Sequence, residues 1–143
     1  MRHGPYLVEI NLISNLLLGY VADYDTHPFP EYLRIGVPVA LSTDDRGMWD
    51  STLTDEFFVA VKEFDLTWQE IRTLSRNSLA YAFLPEAERS ALLDRLDDRL
   101  ARFERAFQRR GDALLAGVEP QYRGFLCRRY AVCAPAGAPG DES

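Results

Sequence analysis

Residues 37–45 read VPVALSTDD, and this stretch decides how the rest of the chain is interpreted. Its alternate positions carry Val, Val and Leu on one side and smaller residues on the other, which is the period-two pattern of a strand covered by helices. The stretch ends in two adjacent carboxylates, Asp44 and Asp45. We therefore predict a buried strand over residues 37–43 that presents acidic side chains at its carboxyl end.

A second apolar segment, residues 6–13, precedes this strand and is predicted to form another strand covered on both faces. Between the two, Thr26 is predicted to cap a short helix that has Pro28 in its first turn and ends at Gly36. Strand, short helix and strand in this order are typical of an α/β protein with a parallel sheet.

The chain beyond Asp45 is predicted to be helical for about sixty residues by its hydrophobic periodicity. Thr54 marks one helix start, the Thr67–Glu70 capping box marks another, and Pro85 opens a last helix that Gly111 ends. The apolar stripe of that last helix is predicted to lie in the core: Leu92, Leu96, Leu100, Phe103 and Phe107.

Residues 1–110 are thus expected to form the folded part, and residues 111–143 a partly disordered tail. Cys127 and Cys133 lie in this tail without the spacing of a zinc site. A disulfide between them requires an oxidising compartment, so we expect free thiols.

The net charge of −6 and the pI near 4.9 argue against binding of a nucleic-acid polymer. The basic pairs at 109–110 and 128–129 are interpreted as solvated charges. No apolar run approaches the roughly 20 residues that span a bilayer, so we expect a soluble chain without a membrane partner. A signal sequence upstream is left open, and so is the cellular location.

Taken alone, the pair Asp44–Asp45 after a strand has two readings. It suits the edge of an active site, because catalytic groups in α/β barrels follow the carboxyl ends of strands. It equally suits the cap of the next helix or a turn. The surrounding sequence has to decide between them.

Several short strings around the pair resemble the adenosine deaminase family in residue type, order and spacing. They are VEINLISN at 8–15, THP at 26–28, GVPV at 36–39, STDD at 42–45 and RNS at 76–78. The resemblance covers residues 7–110. It implies the C-terminal part of a zinc-containing (β/α)8 TIM barrel, in which residues 6–13 and 37–43 are the last two strands and C-terminal helices follow.

The resemblance also implies roles for the two aspartates. Asp44 matches the carboxylate ligand of the family's zinc, and Asp45 matches the aspartate that hydrogen-bonds N7 of the purine. Both Asp45 and N7 are acceptors, so a proton has to lie between them. His27, within the THP string, is not a zinc position in the family, and His3 lies too close to the first strand to be one. Arg46 stands where many members have proline.

The family's other zinc ligands and its proton shuttle have no counterpart here, so no catalytic residue is assigned. We expect a fragment of an enzyme that converts adenosine and water to inosine and ammonia, inactive alone and dependent on a missing N-terminal barrel portion. Self-association through exposed strand edges is expected as well. Two alternatives stay open: a non-catalytic helical interaction module or half of a split barrel, and a related deaminase acting on another purine.

Overall fold

The structure is a computed structural model that describes residues 6–119 and 121–133. Its elements, in chain order, are strand β1 (Val8–Ile10), helix α1 (Leu12–Leu17), a 3-10 helix (Tyr24–Thr26), α2 (Phe29–Arg34), strand β2 (Val39–Leu41), α3 (Arg46–Trp49), α4 (Leu53–Phe64), α5 (Trp68–Ala80), α6 (Glu86–Arg110), a second 3-10 helix (Gly111–Leu115) and α7 (Gly124–Tyr130). The described part is thus mostly helical, with two short strands.

The two strands pair in parallel, as the order of elements predicts, with Val8 opposite Val39. The pairing continues past the strands, since the Ser42 N–H donates to the Ile10 carbonyl at 2.9 Å. Parallel strands end at the same edge of their sheet. The residues that follow β1 and β2 are therefore brought side by side.

The outer edge of β2 is covered rather than open. The Pro38 carbonyl accepts from β1, so the next carbonyl, that of Val39, points to the opposite edge. There the Asn77 side chain of α5 donates to it at 2.9 Å. Since β2 is also buried along its whole length, it offers no exposed edge at this point. β1 is less covered, with Glu9 exposed.

The first strand is shorter than predicted, because it ends at Ile10 and Leu12 already begins α1. The cause is a tertiary contact. The Glu56 carboxylate of α4 accepts from the Leu12 N–H at 2.8 Å and lies 3.4 Å from the Ile13 N–H. A distant side chain therefore satisfies amides that local sequence leaves unpaired at a helix start.

The starts of the later helices are partly as predicted. The capping box of α5 is confirmed, since the Thr67 N–H donates to Glu70 at 2.8 Å and Glu70 N–H returns to the Thr67 hydroxyl. The start assigned to Thr54 is wrong by two residues. Thr52 and Asp55 form a second capping box that opens α4. The spacing of three residues between Thr52 and Asp55 is that of a capping box, whereas the residue three positions after Thr54 is apolar.

The short helix between the strands begins later than predicted. Thr26 ends a 3-10 turn, and α2 starts at Phe29, whose N–H donates to Nδ1 of His27 at 3.0 Å. Its end is confirmed, because Gly36 has a φ of +83°, in the region that favours glycine.

The long helix α6 lies between Pro85 and Gly111, as predicted, but its apolar stripe is not core. No residue of α6 is buried, and Phe103 and Phe107 remain 40% and 41% exposed. Among the described elements, α6 packs mainly on α5 and on the 3-10 helix that follows it, and these contacts leave the stripe partly exposed.

The tail contributes a helix that sequence periodicity did not reveal. Phe125 and Leu126 of α7 are 4% and 1% exposed and belong to the core. The two cysteines predicted to be free instead form a disulfide between Cys127 and Cys133, with Cα atoms 5.1 Å apart. A left-handed residue after the helix, Ala131, turns the chain back so that they meet. Residues 134–143 lie outside the described residues.

Within ranges 6–119 and 121–133, no helix combines the length and the apolar character that crossing a bilayer requires.

Candidate active-site edge

The backbone turns sharply at the acidic pair. Asp44 has a left-handed φ of +49°, and its carbonyl accepts from the Arg46 N–H at 3.0 Å. Asp45 precedes α3, and its carbonyl accepts from the Met48 N–H at 3.0 Å. Aspartate is among the residues that tolerate the left-handed region best. The backbone therefore turns into α3 at the first aspartate of the pair, shortly after the strand.

Neither carboxylate of this pair is used by the described part of the fold. Both Asp44 and Asp45 are exposed, and Asp45 makes no side-chain hydrogen bond to the helix that it precedes. The helix-capping alternative is thus not realised. Two exposed carboxylates at the carboxyl edge of a parallel sheet are free to bind a ligand.

Asn11 follows β1 at the same edge and was not singled out from sequence. Its Oδ1 is buried and accepts no hydrogen bond from the residues that the structure describes. Buried polar atoms without partners are uncommon and often lie at functional sites. The sequence shows a polar residue at the end of a predicted strand, which is a typical position for a functional side chain. The alternation of residues cannot show, however, that the Asn11 amide oxygen lacks a hydrogen-bond partner.

Glu56 is a second residue that sequence reasoning missed. It is fully buried beneath the edge, where burial raises the pKa of its carboxyl to about 8. Its bonds to the backbone N–H groups of Ile13 and Leu12 act in the opposite direction, while the charges of Asp55 and Asp44 raise the pKa further. The sequence suggested only an acidic first turn of a helix. The structure instead connects α4 to the start of α1.

His27 has a structural role, which agrees with the absence of a ligand role in sequence. Its Nδ1 accepts from the Phe29 N–H, so Nε2 carries the proton and donates to Asn15 at 3.1 Å. Burial lowers the pKa of this imidazole. With both nitrogens occupied by protein groups, His27 is not available to a metal. His3 lies outside the described residues.

The donors at this edge do not form a zinc site by themselves. Across residues 6–119 and 121–133, no three His, Cys, Asp or Glu side chains are grouped so that they could hold a metal ion. A catalytic zinc takes about three protein ligands. Asp44 alone does not provide that set, so the zinc implied by the resemblance does not fit this chain in isolation.

The described residues form two parallel strands followed by a set of helices, and polar side chains gather where the strands end. This arrangement is that of a partial α/β protein. The adenosine deaminase family model matches residues 2–99. The chain belongs to the adenosine deaminase family.

Individual adenosine deaminases are also similar to this chain. An adenosine deaminase from Enterococcus faecalis is 34% identical over 97 residues, which are 68% of this chain and 29% of the relative. One from Serratia proteamaculans is 37% identical over 89 residues, 62% of this chain and 27% of the relative. The chain therefore spans less than a third of the length of these curated relatives.

Solved structures agree with the fold. An adenine deaminase from Arthrobacter aurescens superposes with a TM-score of 0.63 at 29% identity, covering 68% of this chain and 30% of that protein. An N6-methyl-AMP deaminase from Arabidopsis thaliana gives a TM-score of 0.62 at 28% identity, covering 66% and 28%. These similar proteins thus include deaminases whose names specify different purines.

Proposed function

We propose that this chain supplies the acidic edge of a purine deaminase site and requires further polypeptide to complete it. In this proposal, residues 6–13 and 37–43 correspond to the last two strands of a (β/α)8 barrel. The observation that carries the proposal is the position of Asp44 and Asp45. Both are exposed at the shared carboxyl edge of two parallel strands, in a chain of the adenosine deaminase family.

Asp45 is proposed to bind the purine. The turn at Asp44 brings it to the start of α3 with its carboxylate exposed and without a helix-capping bond. A carboxyl group that shares a proton with N7 fixes the orientation of the ring and withdraws electron density from it. Correct orientation accounts for much of the advantage of an enzyme site, since the attacking water and the reacting carbon must be aligned.

Asp44 is proposed as one carboxylate ligand in the completed site. A metal in this position would supply an activated water. The described residues contribute one such donor where about three are needed. The proposal therefore assigns the remaining ligands and the proton-transfer groups to polypeptide outside this sequence, and it expects no turnover from the chain alone.

Complementation tests the proposal. The 143-residue chain is mixed with an N-terminal portion of the Enterococcus faecalis relative that lacks the matched segment, and ammonia release from adenosine is measured with added zinc. We expect activity only in the mixture. Asp44→Ala should abolish it, and Asp45→Ala should reduce it by about 100-fold or more.

Asp98→Ala is the matched control, because Asp98 is an exposed aspartate of α6 far along the chain from the edge. It should leave the activity of the mixture unchanged. Full activity with Asp44→Ala, or deamination by the chain alone, would contradict the proposal.

A second candidate function is a non-catalytic interaction module, and one observation favours it. Trp68, Phe103 and Phe107 line an open, mostly apolar cavity of about 650 Å³ between α5 and α6. Exposed aromatic clusters are enriched at protein interfaces. Binding of the N-terminal portion without recovered activity, and its loss in Phe107→Ser, would support the module over the deaminase edge.

A further inference from the structure

A second cavity adjoins the acidic edge. It measures about 350 Å³ and is lined by Arg46, Gly47, Asp50, Ser51 and Arg123. Arg46 directly follows Asp45 in the chain and begins α3, while Arg123 immediately precedes α7. The tail that was expected to be loose therefore forms one wall of this cavity.

The contact between the tail and α3 is specific. The Gly124 N–H donates to the Asp50 carboxylate at 3.0 Å, and the Phe125 N–H reaches the Asp50 carbonyl at 3.4 Å. A side chain at position 124 would collide with that carboxylate and approach the Arg128 guanidinium. A larger residue at this position would have to displace the Asp50 carboxylate that accepts from the Gly124 N–H.

Both lining arginines are exposed, and neither guanidinium forms an ion pair with a residue that the structure describes. The ion pairs found among residues 6–119 and 121–133 use four other arginines: Arg34, Arg72, Arg76 and Arg129. An exposed guanidinium is a planar donor suited to carboxylate and phosphate oxygens. Arg46 and Arg123 therefore approach one cavity from two elements without a carboxylate partner of their own.

A third donor lies in the wall. Ser51 is 4% exposed, and its hydroxyl has no hydrogen-bond partner in the described part of the chain. Its backbone is held in place, since the Ser51 N–H donates to the Arg46 carbonyl at 3.3 Å. An orphaned buried hydroxyl beside two free cations indicates a place for an acceptor.

The charges at the cavity favour an anion. Two guanidinium groups face one carboxylate, and that carboxylate already accepts a backbone hydrogen bond. Among the lining residues the positive charges outnumber the negative ones, although the exposed carboxylates of Asp44 and Asp45 stand directly before Arg46 and the chain as a whole has a net charge of −6. Groups with several charged acceptor oxygens, such as a phosphate monoester, use such donors best.

We propose that the cavity between α3 and α7 binds the phosphate of a purine nucleoside monophosphate, so that the substrate class of this site is a nucleotide. The inference rests on the proposed function, because it places the purine at Asp45 and the phosphate beside the next residue, Arg46.

Binding to the 143-residue chain tests this without turnover. Isothermal titration calorimetry at low ionic strength compares AMP, adenosine and inorganic phosphate as probes. We expect AMP to bind at least tenfold more tightly than adenosine and than inorganic phosphate. Arg46→Gln and Arg123→Gln should each weaken AMP binding about tenfold, which is the loss expected for one charge-assisted hydrogen bond.

Arg99→Gln is the matched control, since Arg99 is an exposed arginine of α6 outside the cavity. It should leave the affinity for AMP unchanged. Ser51→Ala, checked for folding by circular dichroism, should weaken AMP but not adenosine. Equal binding of AMP and adenosine would overturn the inference, and so would affinities that neither arginine substitution changes.

Equal binding of AMP and inorganic phosphate would overturn the nucleotide assignment as well. None of these results depends on zinc or on complementation, so failure of the nucleotide site and failure of the proposed deaminase edge remain distinguishable.

Discussion

Replacement of Glu56 by glutamine is expected to change how stability depends on pH. Glu56 is 0% exposed, and it accepts from the Leu12 N–H at 2.8 Å at the start of α1. Burial raises the pKa of its carboxyl from 4.5 to about 8, and the nearby Asp55 and Asp44 carboxylates add to that rise. Glutamine keeps the shape and one acceptor oxygen but carries no titrating proton.

The sign follows from the two pKa values. The unfolded chain releases the Glu56 proton near pH 4.5, whereas the folded chain retains it up to about pH 8. The stabilisation is therefore fully present below the unfolded value and is lost as the pH rises towards 8. Each pKa unit corresponds to about 1.4 kcal/mol, so the free energy of unfolding should fall by about 3 kcal/mol between pH 4.5 and pH 7.

Titration of His27 changes the stability with pH in the opposite direction, so its effect has to be separated from that of Glu56. Burial lowers the pKa of its imidazole, so its contribution is present above the unfolded value and is lost as the pH falls. The difference between wild type and Glu56→Gln cancels this contribution, because both proteins keep His27. Urea unfolding followed by circular dichroism at several values between pH 5 and pH 8 measures that difference.

Wild type should lose stability relative to Glu56→Gln as the pH rises, whereas Glu88→Gln, at an exposed site, should follow wild type. Parallel curves for wild type and Glu56→Gln would refute the reasoning. A difference of the opposite sign would show that the two backbone hydrogen bonds outweigh burial and that the folded state holds a carboxylate.

Three further substitutions test the packing. Leu126→Ala should cost about 2–5 kcal/mol in urea unfolding, because this tail residue is 1% exposed within the core; a cost below about 1 kcal/mol would show that α7 does not pack there. Asn77→Leu should cost about 1–3 kcal/mol and increase sedimentation-detected self-association, because it leaves the Val39 carbonyl at the edge of β2 without its donor; a monomer of unchanged stability would contradict this. Phe103→Ser should cost less than Leu126→Ala in the same unfolding assay, since Phe103 is 40% exposed, and an equal cost would indicate that α6 is covered in solution.

Local pattern determined much of this protein. The alternation of residues 37–43 identified a buried strand, the Thr67–Glu70 box identified the start of α5, and Gly36 and Gly111 ended their helices as expected. The order and spacing of the short sequence strings at 8–15, 26–28, 36–39, 42–45 and 76–78 were sufficient to indicate the family. These features depend on residues within one or two turns of each other, where side-chain periodicity and backbone preference act directly.

The remaining features were decided by the tertiary structure, because they depend on contacts between residues that are distant in sequence. The end of β1 and the start of α1 are fixed by the hydrogen bond from the Leu12 N–H to Glu56, which lies 44 residues further along the chain. The local pattern of residues 6–13 could not predict this contact. The stripe of α6 is apolar in sequence, yet whether Phe107 is core depends on what covers it, and in the described fold this side chain remains 41% exposed. In the same way, Arg46 and Arg123 share a cavity only because α7 returns to α3.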